Sequence, residues 1–103
     1  MLFRSKIPRG IDVLVTHGPP HGFGDRTTET SRAGCADLRL RVAEVQPRLH
    51  LFGHIHQDGG MWREGATTFA NVTTWECERG ATVIEIDRAT LVPIEVPHHG
   101  RRD

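Results

Sequence analysis

The stretch Leu49-His50-Leu51-Phe52-Gly53-His54-Ile55-His56 constrains the fold of this chain most. A short apolar run bounded by a turn residue reads as a buried strand, and Gly53 is where the backbone is freest to turn. That reading places His54 and His56 at the carboxyl end of a core strand, where open α/β sheets put their ligand sites. Residues two apart share a face as long as the chain stays extended, so the two imidazoles are expected to converge. Imidazole is the commonest side-chain metal ligand. A His-x-His pair alone is also what two polar loop residues look like.

A second strand ending the same way shifts the balance. Residues 11–16 form an apolar, β-branched run, followed by His17-Gly18-Pro19-Pro20, which cannot continue a strand. If the two strands are neighbours, His17, His54 and His56 arrive at one edge of the sheet. Three histidines from two strand ends point to a metal site rather than to unrelated surface residues.

The rest of the chain is read around those ends. With 103 residues it forms at most one modest domain, able to bury roughly 60–70% of its unfolded surface. Thirteen basic and 13 acidic side chains cancel, which removes any broad electrostatic case for nucleic acid or an anionic membrane. No apolar run reaches membrane-spanning length and residues 1–6 are too few for a signal peptide, so a cytoplasmic location is expected. Cys35 and Cys77 are far apart, and two reduced, packed thiols are the default.

Residues 1–10 are an irregular lead-in, and 97–103 a tail. Residues 18–31 form a long loop of the kind that often carries function, with His21 and Asp25 as its candidates for substrate or metal contact and solvated loop residues as the plainer alternative. A helix is expected over 34–46, with Ser31 as cap and Pro47 as stop. Its stripe Leu38, Val42, Val45 faces the sheet, and Arg39, Arg41 and Glu44 form a solvated face. Strand, loop, helix, strand is a βαβ-like order, which favours parallel neighbours. Beyond His56, short runs at 61–63, 66–72, 81–86 and 90–96 suggest antiparallel strands joined by tight turns. Trp62, Phe69 and Trp75 are assigned to core or edge packing.

Taken together, Val13-Leu14-Val15-Thr16-His17-Gly18-Pro19-Pro20, Gly34-Cys35 with Leu38, Pro47-x-Leu49-His50-Leu51-Phe52-Gly53-His54-Ile55-His56 and Phe69-x-Asn71 carry a resemblance. They resemble the carboxyl-terminal half of a calcineurin-like metallophosphoesterase, in the branch of the metallophosphoesterase-domain-containing proteins. The resemblance runs from about residue 11 to residue 71. It implies an α/β chain: part of an α/β/β/α sandwich, with a parallel βαβ unit followed by short antiparallel strands. It implies two divalent ions (manganese, iron or zinc) in a complete domain, with His17 and His54 on one and His56 on the other. Gly18, His21 and Gly53 are the secondary candidates for contact with a phosphoester substrate.

The departures from the family pattern matter as much. The family's Asp-x-His and its Asn-His-Asp or Asn-His-Glu, which carries the histidine that protonates the leaving group, do not occur here, and Asn71 is the only asparagine. Gly24-Asp25 has nothing around it to match the family's bridging Gly-Asp. No catalytic residue is therefore assigned. The expectation is a partial domain, inactive alone, with exposed apolar surface and dependence on a missing amino-terminal half or on self-association. Two alternatives stand beside it. One is a non-catalytic fragment or interaction module that binds a single metal weakly. The other is a structural zinc domain using histidines with Cys35 or Cys77.

Overall fold

The computed structural model describes residues 6–74 and 80–87, and the backbone of 93–96. Trp75, Cys77, His98 and His99 lie outside the described residues. The chain folds as β1 (Val13–Val15), α1 (Ala36–Val45), β2 (Leu49–Phe52), a 3-10 turn (His56–Asp58), β3 (Gly60–Glu64), β4 (Thr67–Asn71), β5 (Val83–Ile86) and β6 (Pro93–Val96). The expected mixed α/β architecture is thus present. A four-stranded sheet runs in the order β1-β2-β4-β3, and β5 and β6 pair separately as an antiparallel ladder.

The βαβ order gives the parallel neighbours it predicts, with Val13 opposite Leu49 and Val15 opposite Leu51. The continuation differs from the simple antiparallel series. β3 and β4 do form an antiparallel hairpin, but β4 inserts between β3 and β2 and runs parallel to β2, with His50 opposite Phe69 and Phe52 opposite Asn71. β4 is buried along its whole length, and β3 is one edge of the sheet with β1 the other. Apolar Phe69 and Ala70, preceded by Thr67 and Thr68, suit a central strand, whereas Arg63 and Glu64 suit an edge.

Helix α1 starts two residues later than expected, and its cap is Cys35 instead of Ser31. The Cys35 thiol accepts a hydrogen bond from the Leu38 N–H at 3.4 Å. Gln46, in the left-handed region at φ 55°, ends the helix by donating its N–H to the Val42 carbonyl, and Pro47 follows. Leu38 and Val42 are buried against Phe52, Phe69 and Ile7, with Leu14, Phe23, Val45 and Trp62 packed around them. Phe23 lies flat on Phe69 with ring centres 4.2 Å apart. This is the helix-covered face of the sheet.

Alternation along β1 sends Val13 and Val15 to the opposite face, where they are 45% and 69% exposed. Bare apolar surface on an edge strand is what the sequence led us to expect. The charged face of α1 is less solvated than expected. Arg39 lies over the Phe23 ring and donates to the His21 carbonyl, while Arg41 donates to the carbonyl of Ile7. Long guanidinium stems cover apolar surface while their heads find backbone acceptors. No helix among the described residues is long and apolar enough to cross a membrane.

Candidate metal centre

Parallel pairing brings the carboxyl ends of β1, β2 and β4 to one rim. Two backbone bonds carry the β1–β2 pairing past the strands: Thr16 N–H to the Leu51 carbonyl, 3.0 Å, and Gly53 N–H to the His17 carbonyl, 3.1 Å. His17 and His54 therefore leave their strands side by side. Their rings lie 4.6 Å apart, centre to centre, inclined at 44°. Both are exposed and border a cleft of about 280 Å³, together with Thr16, Gly18 and Cys35.

The sharp turn expected at Gly53 is made one residue later. His54 has φ 76°, whereas Gly53 does not adopt a positive φ. A non-glycine residue held there costs about 1–3 kcal/mol and clusters at functional sites. The backbone beyond it is pinned: Ile55 N–H donates to the Gly53 carbonyl at 2.9 Å, and Asn71 Nδ2 donates to the Ile55 carbonyl at 2.8 Å. Once His54 leaves the extended region, the two-residue alternation fails. His56 opens the 3-10 turn, exposed, and shares no ring contact with His17 or His54 among the described residues.

Two imidazoles bound to one ion through bonds of about 2.0–2.1 Å have ring centres about 4.5 Å apart at a right angle between the bonds and about 5.2 Å apart at a tetrahedral one. The spacing of His17 and His54 fits such a pair. Among the described residues no three His, Cys, Asp or Glu side chains are gathered closely enough to hold an ion. This chain thus brings together two imidazole donors at the cleft, and Cys35 does not join them as a third. Gly18 and Gly53 leave room beside the pair, since a Cβ at either would meet nothing within 4 Å. His21 is exposed, and its backbone is engaged by Cys35 and Arg39.

Asp25 is neither a solvated loop residue nor an open ligand. It is fully buried and accepts hydrogen bonds from Gly22 N–H (3.1 Å), Gly34 N–H (3.0 Å) and Arg32 (2.6 Å). Burial works to raise its pKa, but the Gly22, Arg32 and Gly34 hydrogen bonds outweigh it and hold the carboxyl below its ordinary value. The carboxylate clasps the ends of the long loop. Asp25→Asn, which weakens those charge-assisted bonds, is expected to lower stability by about 1–2 kcal/mol, read from urea denaturation at pH 7.

Two further polar residues organise the rim from beneath. Asn71, 1% exposed, places Nδ2 2.8–3.0 Å from the carbonyls of Gly24, Ile55 and Asp58, while its Oδ1 accepts from Thr73 N–H at 3.1 Å. Gly24 must be glycine for this approach. It has φ 66°, and a Cβ there would come within 3.0 Å of Phe52, Trp62 and Asn71. His50 is fully buried beside Phe52 and Phe69, and its Nε2 lies 3.0 Å from Thr16 Oγ1. Burial pushes its pKa down to about 4. A histidine inside an otherwise apolar strand and a lone asparagine at a strand end were the available signals for these two.

No family model matches the chain. A 69-residue stretch is 49% identical to metallophosphoesterase domain-containing protein 1 of Homo sapiens, covering 65% of this chain and 21% of that protein. The Mus musculus protein of the same name matches to the same extent. A UPF0046 protein of Caenorhabditis elegans is 48% identical over 66 residues, which are 63% of this chain and 17% of that protein. The chain thus spans about a fifth of the length of the curated relatives it matches. Sequence identity at this level, joined to the parallel pairing of β1, β2 and β4, makes this chain a homologue of part of the proteins named metallophosphoesterase domain-containing protein 1 and UPF0046.

Proposed function

We propose that this chain carries part of a dinuclear phosphoesterase centre, with His17 and His54 as ligands of one divalent ion and His56 as a ligand of the second. The observation that supports it most is the pairing of the His17 and His54 rings at 4.6 Å on a shared strand-end rim. The positive φ of His54 is the second, because a strained residue in an open cleft is where binding geometry is stored. Divalent ions at such a centre polarise phosphoryl oxygens and neutralise developing negative charge. The chain's own part is to orient two imidazoles and to keep Gly18 and Gly53 free of side chains beside them. The partners of such a centre are a phosphoester substrate and the carboxylate and asparagine ligands that this chain does not supply, so alone it is expected to show no turnover.

Calorimetric titration with zinc and with manganese tests the proposal. One ion per chain is expected, bound at least tenfold more weakly in His17→Ala and in His54→Ala and unchanged in His56→Ala, with no hydrolysis of an aryl phosphodiester. Unaltered affinity in His54→Ala, or two tightly held ions on the chain alone, would overturn it.

A further inference from the structure

We infer that His50 is a positioning residue for His17, acting through the Thr16 hydroxyl. The inference rests on the proposed ligand role of His17 for its metal readout, but its geometry stands apart from that role. Thr16 Oγ1 has one proton, and it donates that proton to the Gly18 carbonyl at 2.7 Å. The same oxygen lies 3.0 Å from His50 Nε2. With its only proton committed, Thr16 can only accept from His50, so the buried ring carries its proton on Nε2. The imidazole holds the hydroxyl, the hydroxyl holds the Gly18 carbonyl, and the two residues flanking His17 are locked into one turn.

The backbone does not do this alone. The bonds from Thr16 N–H to Leu51 and from Gly53 N–H to His17 align β1 with β2, but neither reaches Gly18. The other ring nitrogen reinforces the assignment. His50 Nδ1 is buried with no hydrogen-bond partner, which an apolar side chain of the same shape would avoid. Packing therefore does not explain a histidine at this position, whereas the Nε2–H donor does. Partners that orient a ligating histidine from outside the metal shell typically change metal affinity by 10–100-fold when removed.

The test compares His50→Phe, His50→Gln and Thr16→Val in the full chain. His50→Phe fills the same space and is expected to keep or raise the thermal midpoint. It should weaken zinc binding 10–100-fold and abolish the nuclear Overhauser contact between the His17 and His54 rings. His50→Gln, whose amide can again donate to Thr16, should recover zinc affinity to within about threefold of the parent. Thr16→Val should reproduce the loss, and it carries the test if His50→Phe does not fold. Parent-like zinc affinity with an undisturbed His17–His54 contact in His50→Phe or Thr16→Val would overturn the inference. A parent chain that binds no zinc would instead refute the ligand assignment, and the ring contact alone would then decide the role of His50.

Discussion

Asn71→Ala is expected to destabilise the chain by about 3–5 kcal/mol, a large part of the 5–15 kcal/mol typical of a whole domain. The amide is buried at the end of β4 and serves three segments at once: the loop at Gly24, the backbone at Ile55 and the 3-10 turn at Asp58. Its two N–H groups are shared among three carbonyls, and its oxygen satisfies Thr73 N–H. Truncation strands all four backbone groups in a place water reaches poorly, and each stranded group costs about 1–3 kcal/mol before relaxation. Asn71→Asp should be as damaging, since it aims a carboxylate at three carbonyl oxygens. Both are measured by urea denaturation at pH 7. A loss below 1 kcal/mol would mean that the three segments are held by packing alone. Because the Ile55 carbonyl lies between His54 and His56, the same variant should release the left-handed turn at His54.

What could be read from the sequence was whatever follows from strand polarity. A βαβ-like order favours parallel neighbours, and parallel neighbours deliver residues just past their ends to one rim, so the side-by-side placement of His17 and His54 was legible. His56 was not, because the assumption of an extended chain breaks at a single backbone angle, the positive φ of His54. Glycine next to a turn invites the assumption that it makes the turn, yet here the left-handed residue is the histidine that follows it. The insertion of β4 between β2 and β3 was also beyond local reading, since a hairpin looks the same whichever of its strands pairs onward. Asn71 and His50 depend on partners far away in sequence: Gly24 lies 47 residues from Asn71, and Thr16 lies 34 from His50. Arg39 and Arg41 are less solvated than their charge suggested, because charge alone hides how much of an arginine is hydrocarbon.

Stability should fall by about 3 kcal/mol as the pH drops from 6.5 to 4, and this loss should vanish in His50→Phe. Burial holds His50 at a pKa of about 4, against 6.5 for an unburied histidine. Between those values the unfolded chain takes up a proton that the folded chain refuses, so acid favours unfolding throughout that window. Above pH 6.5 neither state binds the proton and the effect is absent. Below pH 4 both states bind it and the loss is complete. The only route to a charged ring in the fold is to place a second N–H on Nδ1, which sits buried with no acceptor. Asp25 is not confused with this transition, because its pKa is held below the ordinary 3.8 and its stabilisation is lost only at still lower pH. Urea midpoints taken from pH 7 to pH 4 separate the two groups. A parent and a His50→Phe variant that lose stability in parallel across that range would show that the ring is reached by solvent, and the fixed Nε2–H that anchors Thr16 would go with it.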